Sequence, residues 1–462
     1  MAKILIKNGL IYDGSGGAPV KKDIVIQNKK IARLGSFPKK DADLTINATG
    51  MAITPGLIDV SFKAGNFEKL IRVGVTTAIG NSESVPQSHL HPHPVKEFFK
   101  ILQKTRLAVN FGTLVSYSSI RRLFTGDIGR DLTVRETESV KNTITQSLKE
   151  GAFGFSAALN SPYANRIPTR EILEAARIAA KFRRVCAIEP RYTDERLMTG
   201  LEEILEIGRD SGASMEINHF QPLSEFSTFY EEALTVVEKK RAQSHVDFDI
   251  YPEDAAFAPI YSFLPDWLFA ESMEETLKVF KEKTVRERIL NHLQKTKLDG
   301  VMLAEAPAHL KFLEGKSLDD FAKNHGLSKA RALFRLMVLT GLKANIFRRS
   351  VDKKILEKYL ENQRTIISPG LESLFANGEK ENFLARAKQN GKVPLEKIVA
   401  RTTGLPAAKY KIEKRGLIKE NYWADLVLWE NWKPRTVFIN GLMAMRDGEV
   451  INKKSGLVLR AN

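Results

Sequence analysis

The feature that most constrains this chain is a regular alternation through its middle. Short apolar runs recur at AITPGLIDVSF (52–62), VTTAIGNS (75–82), AVNFGTLVS (108–116) and AFGFSAAL (152–159). They continue at VCAIEPR (185–191), ASMEINHF (213–220), HVDFDIYP (245–252) and RTIISPG (364–370). Amphipathic stretches lie between them. In REILEAARIAAKF, the residues Ile172, Leu173, Ala176, Ala179 and Ala180 fall on one face at helical spacing. Strands alternating with helices in this way predict an α/β chain folded as a (β/α)8 TIM-like barrel. An open doubly wound sheet is disfavoured, because no glycine-rich phosphate loop follows the first run.

The two ends read differently. Residues 1–52 alternate apolar and polar, with turn signals at Asp13-Gly14 and Asn28-Lys29-Lys30. Residues 412–462 do the same, and Asn440-Gly441 and Asp447-Gly448 are strong hairpin dipeptides. Two half-sets of antiparallel strands flanking a barrel (53–411) predict one small composite β-sandwich. Residues 253–363 interrupt the barrel between its seventh and eighth strands. They carry helix candidates in YSFLPDWLFAES and EETLKVFKEK and read as a lid over the mouth.

Composition narrows the function classes. The chain has 462 residues, enough for one large domain and a smaller one. No run approaches the roughly 18 apolar residues of a membrane span. The N-terminus lacks the architecture of a secretory signal. Cys186 is the only cysteine, so an intrachain disulfide and a Cys-based zinc cluster are excluded. These features predict a cytoplasmic protein with no membrane partner. The net charge of +16 raises nucleic acid as a partner. The cations are scattered over the polar sides of helices without a like-charge block or an RNA-binding aromatic signature, so no nucleic-acid role is expected.

Ordered motifs then carry a resemblance over nearly the whole chain. KNGLIYDGSGGAPVKKDIVIQNKKIARLG and INATGMAITPGLIDV are followed by GVTTAIGNS, LKEGAFGFSAALNSPYA and EILEIGRDSGASMEINHF. FDIYPED, FLPDW, FLEGKSLDDFAKNHG, TTGLPAAKY and GLIKENYWADLV complete the series. The chain resembles the N-acyl-D-amino-acid deacylases (D-aminoacylases) of the amidohydrolase superfamily. That resemblance implies hydrolysis of a non-peptide amide bond by zinc-activated water, with an aspartate at the eighth strand moving the proton.

Carried over position by position, the family's residues are mostly replaced. The first-strand His-x-His reads Ser61-Phe62-Lys63, and the cysteine after the second strand is Ser82. A hydroxyl is a poor zinc ligand and a protonated lysine has no lone pair to give. The fifth-strand histidine is Glu189, still a possible zinc ligand, and Arg191 is kept as a candidate for binding an acidic group. His219 is retained at the sixth strand, but the lysine two residues on is Gln221. The general-base position is Pro369, which cannot move a proton, and Tyr117 stands where the family commonly has histidine. Tyr251 and Asp249 read as pocket lining. His89, His91 and His93 alternate in one loop and raise a replacement metal site, against the plainer reading of an exposed proline-stiffened loop. His245, His292, His309 and His325 read as structural or solvent-facing.

These substitutions predict a degenerate amidohydrolase, a pseudoenzyme candidate with its family zinc lost. Such a chain still has room for a small N-acylated or carboxylated ligand, held through Arg191 and Tyr251, or for assembly as an oligomer. One alternative is a working C–N hydrolase with a metal site rebuilt on Glu189 and His219. Another is a non-catalytic scaffold or binding subunit. A specific expectation is that the Lys63 ammonium replaces the metal cation and pairs with Glu189.

Overall fold

A computed structural model describes residues 3–39, 42–62, 67–81, 94–126, 130–161, 164–269, 273–371 and 382–462. The N-terminal strands are β1 (Ile4–Ile11), β2 (Val20–Gln27), β3 (Lys30–Gly35), β4 (Leu44–Asn47) and β5 (Ala52–Pro55). The barrel strands are β6 (Leu57–Phe62), β7 (Val75–Asn81), β8 (Asn110–Ser116), β9 (Gly154–Ala158), β10 (Val185–Glu189), β11 (Ser214–Ile217) and β12 (Val246–Ile250). An inserted sheet holds β13 (Ala256–Pro259), β14 (Val301–Glu305) and β15 (Asn345–Arg348). The eighth barrel strand, β16 (Ile366–Ile367), follows it, and β17 (Leu426–Glu430), β18 (Lys433–Ile439), β19 (Leu442–Arg446) and β20 (Glu449–Val450) end the set.

The barrel expectation holds. Strands β6 to β12 and β16 form one eight-stranded sheet in the order β16-β12-β11-β10-β9-β8-β7-β6, with every pair parallel. All residues of β6, β8, β10 and β12 are buried. Such strands are covered by helices on one face and fill the lumen with the other, so they read as continuous apolar runs. The helix Thr169–Lys181 buries Ile172, Ala176 and Ala179 against the barrel, the face its spacing predicts.

The two ends of the chain form one nine-stranded sheet, in which β17 pairs antiparallel with β5. The edge strand β3 is met by the segment that precedes β17: Ile31 N donates to the Tyr422 carbonyl and Ala424 N to that of Lys29. The sheet packs Ile6, Ile24, Ile26, Ile53, Leu426 and Phe438 into its own core. Its hairpin dipeptides behave as their composition predicts. Asn28 and Lys29, Asn440 and Gly441, and Asp447 and Gly448 all take positive φ, the backbone that two-residue hairpin turns require. Residues 456–461 leave this sheet for the barrel, where Gly456 N bonds Leu107 O and Leu459 N bonds Phe111 O.

The segment between β12 and β16 carries a separate core around Ile260, Leu293, Leu333, Met337 and Ile346. It contains the antiparallel sheet β13-β15-β14, which the sequence reading missed. The stretch YSFLPDWLFAES is not one helix. It breaks into 3-10 turns at Ile260–Phe263 and Asp266–Leu268, because Pro265 between them has no N–H to continue a helical ladder.

Candidate functional site

The strands' C-terminal ends bring Ser61, Glu189, His219, Asp249, Tyr251 and Pro369 to one end of the barrel. His219 sits just past β11 in the left-handed region at φ 54°, an uncommon backbone for a non-glycine residue. Its ring is held on both sides. Nδ1 lies 3.1 Å from Glu189 Oε1, and Nε2 lies 3.2 Å from the Ser61 carbonyl oxygen. A carbonyl only accepts, so Nε2 carries a hydrogen. At Nδ1 one proton is shared with the carboxylate, whichever partner formally holds it. Neither ring nitrogen keeps a free lone pair.

Ser61 is tied across the mouth in the same way. Its carbonyl also accepts from the Tyr251 hydroxyl at 3.2 Å, its N–H donates to Asp59 Oδ1 at 3.0 Å, and its hydroxyl donates to Asp249 Oδ2. Asp249 Oδ1 accepts from His219 N at 2.9 Å. Burial, reinforced by the neighbouring acids Asp59, Asp249 and Glu189, holds the Tyr251 hydroxyl well above its ordinary value, so it stays a neutral donor. Burial, together with the Asp249 charge, also pushes Asp59 up to about 7. Gly370 packs so closely on this acid that a Cβ there would lie 1.7 Å from Asp59 Oδ2.

Gln221 stitches the end of β12. Its amide nitrogen donates to the Tyr251 and Glu253 carbonyls at 3.1 and 2.8 Å, and its oxygen accepts from Tyr251 N at 3.1 Å. An ammonium at this position could make the first two bonds but not the third. Arg191 does not present an open fork to the mouth. Its Nε and Nη2 bind the two Glu203 oxygens at 2.8 and 2.6 Å, and the Asn165 and Ile167 carbonyls each take one further N–H, from Nη1 and Nη2. Tyr117 turns outward, donating at 2.9 Å to Glu171, which also holds the buried Arg121. His292 and His325 spend a ring nitrogen on the Phe263 and Phe321 carbonyls, in keeping with a structural role.

Two relatives from Alcaligenes xylosoxydans xylosoxydans match almost end to end. A D-aminoacylase is 24% identical, with 94% of this chain and 88% of the relative covered. An N-acyl-D-aspartate deacylase is also 24% identical, covering 93% and 86%. The homologues of this chain are D-aminoacylases and N-acyl-D-amino-acid deacylases. No protein-family model matches the chain. In fold it is similar to an N-acyl-D-glutamate deacylase from Bordetella bronchiseptica, solved with zinc and a phosphonate inhibitor. The TM-score is 0.81, with 21% identity and 99% of each chain covered.

Against that family the described donors fit zinc poorly. His219 has both ring nitrogens engaged, and Ser61 gives its hydroxyl to Asp249. Among the described residues, no group of three or more His, Cys, Asp or Glu is placed to hold a metal. Lys63, Ser82, His89, His91 and His93 lie outside the described residues, so the Lys63–Glu189 pairing and the loop-histidine site are not described. Glu189 itself takes His219 on one oxygen and the Asn160 amide, at 2.9 Å, on the other. Asn160, Asp59 and Glu216 are residues of this region whose part the sequence reading missed. For Glu216 a signal existed: it is the one charge in the buried strand SMEI.

Proposed function

We propose that this chain is a degenerate amidohydrolase of the D-aminoacylase type that does not carry out zinc-dependent deacylation and serves as a non-catalytic binding or scaffold protein. One observation carries the reading: both nitrogens of His219, the one retained family ligand, are spent inside the protein. The polar groups that would face a dication satisfy one another instead, through Ser61, Asp249, Tyr251 and Glu189. Pro369 at the general-base position supports the same reading, since it offers no group to take a proton from water. Elemental analysis of the purified protein, with an assay on N-acyl-D-amino acids in added zinc, tests it. The expected result is substoichiometric zinc and no turnover above the buffer rate. Stoichiometric zinc with turnover would instead establish a rebuilt metal site.

A further inference from the structure

A second cleft lies between the terminal sheet and a barrel helix, and none of its lining residues belongs to the strand ends described above. Its volume of about 310 Å³ is that of a small-ligand pocket, and junctions between domains are where such pockets are commonly found. Its aromatic wall comes from Tyr12, just past β1, from Trp429 of β17, and from Trp432 in the β17–β18 turn. Tyr12 and Trp432 meet edge to face with centroids 5.5 Å apart, and Trp429 stands 6.1 Å behind.

The turn itself is unusual. Asn431 and Trp432 both take positive φ, 50° and 60°. Hairpins of this shape favour glycine at the second position, and a bulky residue there is a genuine outlier. The strained backbone holds the Trp432 ring in the wall of the cleft, with the residue only 6% exposed. Strain of this kind persists where the surroundings over-determine it, often at a binding site.

The polar lining has one sign. Lys21 from β2 and Lys388 from the helix Phe383–Asn390 both line the cleft and are exposed, and among the described residues no carboxylate lines it. Neither lysine forms an ion pair among the described residues, whereas Lys7, Arg435 and Arg446 of the same sheet do. The Tyr12 hydroxyl and the Trp432 indole N–H make no hydrogen bond among the described residues either, which leaves two donors for a ligand. The acid that Tyr12 feels, Glu396, stands outside the lining.

We propose that this cleft binds a planar aromatic anion, its ring against Tyr12 and Trp432 and its carboxylate or phosphate drawn by Lys21 and Lys388. Ring contact supplies apolar burial and aromatic edge-to-face packing, while the lysines select the charge. The site is independent of any metal at the barrel mouth, so it stands or falls separately from the reading above.

The test uses the full chain with three probes: 2-naphthoate, adenosine monophosphate and neutral adenosine. Titration is followed by calorimetry and by quenching of tryptophan fluorescence. Saturable binding of at least one anion is expected, with a Kd below about 1 mM, weakened about ten-fold or more by the double substitution Lys21→Ser, Lys388→Ser. Added salt should weaken it as well. The anion preferred tells carboxylate from phosphate chemistry. Both lysines are exposed, so the double variant keeps its fold. Three results would each overturn the proposal: no saturable binding of either anion, unchanged affinity in the double variant, or adenosine binding as tightly as its monophosphate.

Discussion

Gln221 shows how a single side chain settles the character of the barrel mouth. It satisfies the Tyr251 N–H and the Tyr251 and Glu253 carbonyls at once, in a buried place. Gln221→Leu leaves all three without that partner, and each buried orphan costs about 1–3 kcal/mol. A loss of about 3 kcal/mol in urea denaturation is therefore expected; a change near zero would mean that the network is not formed in solution. Glu216 gives the pH counterpart. Burial, with Asp249 beside it, raises its carboxyl well above the ordinary 4.5. The folded state then keeps a proton that the unfolded chain has already released. Stability from this group is present below pH 4.5 and is lost as pH rises toward the folded value. Glu216→Gln removes that loss. Its melting temperature should exceed the parent's at pH 8, and the difference should shrink toward pH 4.5.

Elements follow their local chemistry where the partners are close in sequence. The helix Val134–Lys149 starts with a capping box, in which Thr133 and Glu136 each bond the other's backbone N–H. Thr133→Ala should cost about 1 kcal/mol by chemical denaturation, since an exposed cap is lost and little else changes. The turn after β16 obeys a different constraint. Gly370 is required there by the close approach of Asp59, with no special φ involved. Gly370→Ala should destabilise by at least about 2 kcal/mol, the scale of overpacking in a tight core, with a visible fall in soluble yield. The sheet β13-β15-β14 was illegible for a related reason. Strand β13 is only half-buried along its length and pairs with a partner about ninety positions on, so its four residues carry no clear period.

At the scale of the whole molecule, one buried network joins the sheet to the barrel. Asp425 beside β17 takes the Arg415 guanidinium and the Asn440 N–H, and Asn440 reaches Asn110 of β8 and the Ser455 carbonyl at 2.7 and 2.8 Å. Asn110 in turn holds Leu457 N, at the start of the segment that crosses back to the barrel. Asp425→Ala strips a buried arginine of its counter-charge, and such a loss costs about 3–5 kcal/mol. A large drop in melting temperature should follow, with the sheet and barrel signals lost together; an unchanged melting temperature would show that the joint carries no load. From sequence, Asn440 is legible only as half of a turn dipeptide, and its side chain's part in this joint is not.

What the sequence determines by itself is the set of elements. Strands buried on both faces, helical faces and hairpin dipeptides are local patterns, each readable within a window of some tens of residues. The residues at positions 61, 189 and 369 are equally legible as candidates, because each falls inside an ordered motif. Only the tertiary structure decides what those side chains meet. Ser61 meets His219 and Asp249 across 158 and 188 positions of chain, and Arg191 meets Glu203 from the following helix. Hydrogen bonds are short-ranged and directional, so which lone pairs remain free at the barrel mouth depends on ångström-scale placement that no one-dimensional pattern encodes.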